Sequence, residues 1–446
     1  ELATCEQLYL AGLHLEQYRH ATFEPEPYYL EGLKRDPGDI RLNVAYGTLL
    51  LRRGLFAESE GYFRKAISSL TWRNPNPYDS EAYYQLGLAL KLQGRLEEAF
   101  AALYKSVWSA AWQDPGYFTL AQIACEQGAH AEALELAERS LIRNARNYKA
   151  RNLKAALLRK LGRLAEAQAF AEETLRLDVA DFGAANEAAL ALRAQGDAAG
   201  AEEALAGLRA FMRGNAHNAI SLASDYAGCG LFEEAVEVLG RFAPDAQTDA
   251  YPMLHYALAY LYDRLQQPQS AEAHRRAGNA ASPDYCFPNS LFDLQVLEAA
   301  LAANPDDDKA HYYLGNLLYD KKRYAEAISH WEASRQARGD FATVHRNLGL
   351  AYYNKRGDAE AAKEALERAF ACDTADARVF YELDQLYKKI GLAPETRLAK
   401  LEEHRELVLQ RDDLYVERVG LLNALGRHEE ALGALASRHF HPWEGG

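Results

Sequence analysis

The sequence is poor in the residues that build β-sheets. It has 11 Val and 7 Ile but 80 Ala among 446 residues. Because β-branched residues favour strands and Ala is the best helix former, this composition argues for helices and against a sheet-based core. Hydrophobic residues make up 49% and charged residues 26%, which is typical of a folded chain and too apolar for disorder.

Cysteine is also scarce. The five cysteines are spread along the chain without a C-x-x-C motif, and the closest two are Cys229 and Cys286. This arrangement predicts neither a disulfide framework nor a zinc finger. Free thiols are typical of a reducing compartment, so we expect a cytoplasmic protein. No cofactor is predicted.

The chain has no excess of positive charge and no long apolar run. Lys and Arg number 50 against 64 Asp and Glu, which gives a net charge of −14. This charge argues against nucleic acid or an anionic membrane as a partner. No apolar run approaches the roughly 18 residues of a spanning helix, so membrane insertion is not predicted. Because the sequence starts at Glu1 and not at Met, we expect a piece of a longer protein.

Common catalytic motifs are absent as well. There is no G-x-S-x-G, no G-x-x-x-x-G-K-S/T, no H-E-x-x-H and no G-x-G-x-x-G followed by an acid. Carboxylates are abundant, but nothing singles out two of them as a glycosidase pair. The chain itself is therefore predicted to be non-enzymatic, while the activity of a longer protein stays open.

What the sequence does have is a period of about 34 residues. Each unit has a first recurring position, small in most units, which we call its anchor. In most units a second small residue follows the anchor by 12 positions, as at Ala99 and Ala327, while Ala362 comes one position late. This pattern predicts helix hairpins in which the two small residues mark the closest approach of the helices. The anchors are Leu13, Gly47, Gly87, Ala121, Ala155, Ala189, Ala223, Ala259, Gly315, Gly349, Asp384 and Val419.

Two segments show the unit best: residues 84–103 (YQLGLALKLQGRLEEAFAAL) and 312–331 (YYLGNLLYDKKRYAEAISHW). They resemble the tetratricopeptide repeat, with its W-x2-L-G-x2-Y and A-x3-F signature. The resemblance extends over roughly residues 2–436 and is weakest in the first unit and around Asp384. It implies an all-α, right-handed superhelical solenoid of about twelve helix hairpins.

Two insertions interrupt the period. Residues 71–79 contain two prolines and predict an extended loop. Residues 282–289 predict a structured loop, and residues 292–303 an extra helix. We therefore expect an N-terminal array (1–277), an irregular insertion that is a candidate hinge (278–305) and a C-terminal array with a tail (306–446).

The resemblance also predicts a concave groove lined by the first helices of successive hairpins. In the C-terminal array the groove positions are rich in Tyr and planar polar side chains, which suit an extended peptide, a domain of the same longer chain or a sugar. The alternative is a solvated helix face whose tyrosines pack between helices. These positions are Tyr312, Asn316, Tyr319, Asp320, Arg346, Asn347, Tyr353, Asn354, Arg378, Tyr381, Gln385 and Lys388.

Some tetratricopeptide domains hold a peptide carboxylate with five basic or amide side chains. Asn316, Asn347 and Arg378 match three of these positions. Tyr312 and Glu382 stand where the family pattern has basic residues. Because Glu382 would repel a carboxylate, a clamp of this kind is not the favoured interpretation.

The strongest local charge feature is a run of nine basic residues without an acid between Glu138 and Glu166. By the repeat resemblance, four residues of this region face the groove of the N-terminal array. They are Lys149, Asn152, Arg159 and Lys160, and we call them the basic band. The band predicts a dock for an acidic partner or an anionic ligand, or else an ordinary solvated helix face.

Three histidines, His255, His311 and His345, each precede an anchor by four residues. A metal site is one interpretation. Equivalent side chains of successive repeats, however, lie about 10 Å apart, too far to converge on one ion. We therefore predict that they replace a packing aromatic residue, and we predict no metal site.

Several segments are not required by the repeat, among them LHLEQYRHAT (13–22), RNPNPYD (73–79), PDYCFPN (283–289) and RHFHPWEGG (438–446). They resemble the helical part of large bacterial proteins in which a β-rich, carbohydrate-associated domain precedes the repeats. The resemblance implies a link to carbohydrate metabolism. The favoured function is a scaffold whose groove binds a protein segment or a domain of its own longer chain. The alternatives are the helical part of a carbohydrate-active enzyme and a sugar-binding module.

Overall fold

The computed structural model describes residues 2–18, 22–247 and 249–441. Residues 19–21 of LHLEQYRHAT and residues 442–446 of RHFHPWEGG lie outside this part of the chain. Every regular element in the described residues is helical, and consecutive helices pack as hairpins. The predicted all-α solenoid class is thereby confirmed.

The chain forms two compact units. The first comprises Glu1–Cys286 with Ser290–Val296, and the second comprises Phe287–Asn289 with Leu297–Gly446. The division falls inside residues 278–305. The three-part organisation and the hinge stay predictions.

The helices follow one another with short connections. Those of the first unit are α1 (Cys5–Tyr18), α2 (Glu26–Arg35), α3 (Ile40–Arg52), α4 (Phe56–Leu70), α5 (Glu81–Leu92), α6 (Leu96–Ser106), α7 (Gln113–Glu126), α8 (His130–Arg143), α9 (Tyr148–Lys160), α10 (Leu164–Leu177), α11 (Phe182–Ala194), α12 (Ala198–Phe211), α13 (Ala216–Ala227), α14 (Phe232–Gly240), α15 (Pro252–Arg264) and α16 (Pro268–Ala280), with a 3₁₀ turn at Ala110–Trp112. Helix α17 (Leu291–Ala303) begins in the first unit and ends in the second.

The second unit continues with α18 (Asp308–Asp320), α19 (Tyr324–Ala337), α20 (Ala342–Ala351), α21 (Ala359–Cys372), α22 (Ala377–Lys389), α23 (Pro394–Glu403), α24 (Arg405–Gln410), α25 (Asp412–Ala424) and α26 (His428–Ser437). A π-helical turn at Tyr352–Arg356 extends α20. Within the described residues, none of the helices combines the length and the apolar character that crossing a bilayer requires.

The anchor glycines lie where the two helices of a hairpin touch. A Cβ atom built on Gly47 would come within 2.6 Å of the Phe63 ring, and one on Gly349 within 2.6 Å of Leu366. The small residue on the second helix is fully buried, as at Ala327. Both predicted close-approach positions are confirmed, because only small residues let the two backbones pack at this distance.

The late position of Ala362 has a structural cause. Helix α20 does not end in an α-turn but in the π turn, which holds one residue more than an α-turn and is closed by Gly357 at φ +70°. The extra residue shifts the following helix by one position, so that Ala362 and not Ala361 takes the fully buried place.

Several first helices begin with a side-chain cap. The Asp39 carboxylate accepts a hydrogen bond from the Leu42 amide at 2.9 Å, and Asp307 accepts one from the Ala310 amide at 2.8 Å. Such caps satisfy amides that have no partner inside the helix, and each stabilises a helix start by about 1 kcal/mol. The first helices, which carry the candidate binding positions, therefore have fixed starting points.

Candidate functional site

The candidate groove of the second unit lies on α18, α20 and α22, and side chains join each of these helices to the next. Asn347 Nδ2 on α20 donates to Asn316 Oδ1 on α18 at 3.1 Å. One helix further, Arg346 Nε donates to Glu382 on α22 at 2.6 Å, and its Nη2 donates to the other carboxylate oxygen. The three helices thus present a continuous polar surface.

The two asparagines on this surface are held in place and still have hydrogen-bonding groups to offer. Asn316 Oδ1 also accepts a bond from the Trp331 indole at 3.1 Å, which fixes its carboxamide. Among the described residues, no partner occupies Asn316 Nδ2 or Asn347 Oδ1. A free donor and a free acceptor therefore stand side by side.

Two groove tyrosines each lie under a lysine from the following repeat. Lys355 Nζ is 6.0 Å from the ring centre of Tyr319, and Lys389 Nζ is 5.3 Å from that of Tyr353. Burial raises the pKa of the Tyr319 phenol. A cation over an aromatic face is attracted by the ring quadrupole, which favours the position of Lys389 over Tyr353, whereas Lys355 lies closer to Tyr324, at 3.9 Å from its ring centre.

The remaining predicted groove residues differ in exposure. Tyr312 is only 6% exposed, and its ring packs against Phe341 at a centroid distance of 4.8 Å. It is therefore part of the core and does not line an open surface, which corrects the sequence interpretation. Tyr381 and Gln385 are half-buried, whereas Asp320, Asn354, Arg378 and Lys388 are exposed.

Lys388 and Arg397 meet at a carboxylate of a later helix. Lys388 Nζ donates to Glu417 on α25 at 2.8 Å, and Arg397 donates to the same carboxylate at 3.0 Å. Burial raises the pKa of Glu417, but hydrogen bonds from Lys388 and Arg397 outweigh it, and the pKa is lowered overall. At this end of the surface, the charges of Lys388 and Glu417 are therefore paired within the chain.

The carboxylate clamp is not assembled. Glu382 takes the two guanidinium groups closest to the predicted clamp, since Arg346 binds it at two points and Arg378 Nε donates to it at 3.3 Å. A carboxylate of the chain itself therefore occupies the cations that an incoming carboxylate would need.

The basic band of the first unit is also paired within the chain. Lys149 Nζ lies 2.6 Å from Asp225 on α13, and Asn152 Nδ2 donates to Asp181 at 2.8 Å. Deeper in the groove, Arg159 binds acids of two other helices.

Arg159 Nε and Nη2 donate to Glu187 on α11 at 2.9 and 3.2 Å, and Nη2 also lies 3.0 Å from Glu234 on α14. Lys160 Nζ completes the cluster at 2.7 Å from Glu234. The prediction of a dock for an acidic partner is corrected: the band is not a free positive surface, because its own unit supplies the acids.

Helix α13 and the turn after it fill the groove at this point. Tyr226 on α13 donates its hydroxyl to Glu187 at 2.6 Å. Lys91 Nζ on α5 donates to the Gly228 carbonyl at 2.8 Å and to Gln122 Oε1 at 3.1 Å, and burial lowers the pKa of Lys91. No local sequence pattern signals these contacts, which join residues far apart in the chain.

The histidines at the repeated position form pairs that the sequence analysis missed. His255 Nδ1 lies 3.0 Å from His274 Nδ1, and His311 Nδ1 lies 2.8 Å from His330 Nδ1. Both pairs link the two helices of one hairpin with the same 19-residue separation, which is the signal that could have found them. Burial, followed by the partner histidine, lowers the pKa of His274 and of His330 to about 4.

The third histidine has a different contact. His345 Nε2 donates to the Gly339 carbonyl at 3.0 Å, and His311 Nε2 donates to the Pro305 carbonyl at 2.9 Å. Because His311 is a donor at Nε2, its Nδ1 in the neutral ring accepts the bond from His330. The described residues contain no group of three or more His, Cys, Asp or Glu that could hold a metal ion.

Comparison with known proteins places two segments in one family. The tetratricopeptide repeat profile matches residues 47–115 and 294–340. Among solved structures, a chain of Naa15/Naa10 bound to HypK-THB is 13% identical, with a TM-score of 0.32 over 97% of this chain and 74% of that chain. A tetratricopeptide repeat protein from Parabacteroides merdae is 14% identical, with a TM-score of 0.33 over 74% of this chain and 98% of that chain.

The matched segments lie in hairpins of the kind that recur along both units. Residues 47–115 span the glycine anchors Gly47 and Gly87, and residues 294–340 include Gly315 with its partner Trp331. The close approach of paired helices is the same in the matched units and at Gly349 outside them. Residues 47–115 and 294–340 are therefore similar in sequence to the tetratricopeptide repeat, and hairpins with the same close approach of paired helices occur beyond them.

Proposed function

We propose that this protein is a non-enzymatic scaffold that binds an extended polypeptide segment on α18, α20 and α22. The observation that supports this most directly is that the free donor Asn316 Nδ2 and the free acceptor Asn347 Oδ1 lie side by side. An extended backbone presents a carbonyl acceptor and an amide donor, which are the complementary groups. Because the Asn316–Asn347 and Asn316–Trp331 bonds already fix both side chains, little rotamer entropy is lost on binding.

The surroundings of the pair favour a peptide over a sugar. Tyr319 and Tyr353 flank the surface, and a lysine already lies over each ring. The edges and the other face of each ring can contact apolar side chains of a peptide. Because a lysine lies over one face, less of the ring is open for stacking on a sugar. The sugar-binding module and the carbohydrate-active enzyme remain alternatives, and they rest on the sequence resemblance and on the Tyr- and Asn-rich composition of the groove positions.

The bound segment belongs to another protein or to a longer form of this chain. The net charge of −14 argues against nucleic acid in the same place. Arg346 and Lys388 are already paired with Glu382 and Glu417, so the proposed recognition depends on backbone hydrogen bonds and shape more than on net charge.

The test is selection of peptides from a random, unstructured peptide library displayed on phage. We expect selected peptides to bind the wild type and to lose about tenfold or more in affinity against Asn316→Ala/Asn347→Ala, since two backbone hydrogen bonds are lost. Gln336→Ala, an exposed amide on the second helix α19, is the matched control and should bind normally. Selected peptides that bind the double variant as well as the wild type would refute the site.

A further inference from the structure

A cavity of about 140 Å³ lies on the first helices of the first unit, away from the predicted groove positions of the C-terminal array and from the basic band. Helix α3 contributes Val44 and Thr48, α1 contributes Tyr9 and Leu13, and Ala82 on α5 adds a further wall. This volume has room for a few water molecules or one long side chain, and not for a folded domain.

The basic residues of the cavity already have partners. Arg52 Nη1 lies 2.7 Å from Glu16 Oε2, and the same carboxylate accepts a hydrogen bond from the Tyr29 hydroxyl. Arg41 forms a close ion pair with Glu6. An anion entering the cavity would therefore have to displace carboxylates of the chain.

The acids on the opposite side are not neutralised. Asp79 Oδ1 accepts bonds from the Glu81 amide at 3.0 Å and from the Trp112 indole at 2.9 Å, which fix the carboxylate in place. Within the described ranges neither Asp79 nor Glu81 forms an ion pair, although Gln85 donates to Glu81. Burial and the neighbouring Asp79 raise the pKa of Glu81, as expected of a carboxylate that lacks a cation.

One hydroxyl group that lines the cavity also has no hydrogen-bond partner in the described part of the chain. It is Thr48 Oγ1, which is buried against the cavity. The walls beside it are the apolar side chains of Leu13, Val44 and Ala82. An occupant that fits has an aliphatic stem and a cationic, hydrogen-bonding end.

We propose that this cavity binds the side chain of a lysine or arginine from an extended peptide, with the aliphatic stem along Leu13 and Val44 and the cation on Glu81 and Asp79. The Tyr9 ring already has the Arg41 guanidinium 5.1 Å from its centre, so the two carboxylates are the groups that bind the incoming cation. The site uses other residues in another unit than the peptide surface on α18–α22, so either proposal can fail without the other.

The test uses saturation-transfer NMR titrations of the whole chain with three probes. The first is the pentapeptide Ac-Gly-Ser-Lys-Ser-Gly-NH2, the second is its norleucine analogue, and the third is 1,5-diaminopentane. We expect the lysine peptide to bind at least about tenfold more tightly than the norleucine peptide, since a charge-assisted hydrogen bond is gained. Equal binding of the two peptides, or no binding of the lysine peptide, would overturn the proposal.

Variants locate the site. Glu81→Gln keeps the shape of the side chain and should weaken the lysine peptide about tenfold, and Asp79→Asn should weaken it in the same direction. Glu97→Gln, an exposed acid on α6, is the control and should change nothing. Unchanged affinity in both cavity variants would place the binding elsewhere and refute the site. Binding of the diamine without the peptide would refute the assignment to a peptide side chain.

Discussion

Arg159 and Glu187 form a two-point ion pair between two first helices of the first unit, at 2.9 and 3.2 Å. Glu187 is fully buried, and Glu234 provides a second carboxylate for the same guanidinium. The pair therefore neutralises charges that have little access to water. What the sequence shows as a positive band is, in the folded chain, the centre of a closed polar network.

Removing one partner of this network should be costly. We expect Arg159→Met to destabilise the surrounding helices by about 3–5 kcal/mol, because Glu187 would stay buried without a cation. In a repeat array such a loss is local, so amide hydrogen exchange of α9–α14 is the measurement. The double variant Arg159→Met/Glu187→Leu should recover most of the protection.

Arg163, on the same repeat, offers the matched control. It pairs with Glu166 at the surface, where screening by water leaves little net stabilisation. Arg163→Met should leave the exchange of α9–α14 nearly unchanged. Equal effects of the two arginine variants would show that the buried pair has no special role.

The histidine pairs predict a loss of stability in acid. The folded pKa of His274 and of His330 is about 4, below the ordinary 6.5, so the unfolded chain binds more protons between these values. Stability contributed by the neutral rings is complete above about pH 6.5 and is lost as the pH falls towards 4. Thermal unfolding between pH 7.5 and 4.5 measures this loss.

Substitution separates the pairs from other acid effects. The variant His274→Gln/His330→Gln should lose less stability than the wild type over the same pH range, because it lacks the two rings that the unfolded chain protonates and the folded chain keeps neutral. His428→Gln, an exposed ring on α26, should keep the wild-type slope. A double variant with the wild-type slope would contradict the assignment.

Substitution by Ala at two glycines of one hairpin, Gly47 and Gly61, should change stability in opposite directions. Gly47→Ala should destabilise by about 1–3 kcal/mol, since the new Cβ would meet the buried Phe63 ring at 2.6 Å. Gly61→Ala on α4 has open space and should stabilise by about 0.5–1 kcal/mol through helix propensity. Urea unfolding of the two variants checks both signs, and similar values would contradict the packing argument.

The sequence predicted the features that depend on spacing along the chain. Gly47, Gly349 and Ala362 could be placed because each hairpin repeats the same local contact. The one-residue delay at Ala362 was visible in the sequence, but its cause, the π turn, was not, since no residue type specifies that turn. The sequence period therefore predicts where the hairpins lie, but it does not predict irregular turns within them.

Most of the candidate sites could not be read from the sequence. The pairing of Lys149 with Asp225 crosses several repeats, so the band looked unpaired in the linear chain. The asparagines were assigned to the groove individually, yet the Asn316–Asn347 bond depends on how two hairpins stack. Thr48 has no motif at all, and only the packing of three helices around a cavity singles it out.

If Asn316 and Asn347 bind the backbone of an extended segment, an amide-to-ester exchange in a selected peptide should remove this contact and leave the others in place. An ester lacks the N–H donor and is a weaker acceptor, while the side chains of the peptide stay the same. We expect one ester position to weaken binding to the wild type about tenfold and to have little further effect on Asn316→Ala/Asn347→Ala. Esters that weaken both proteins equally at every position would contradict the claim.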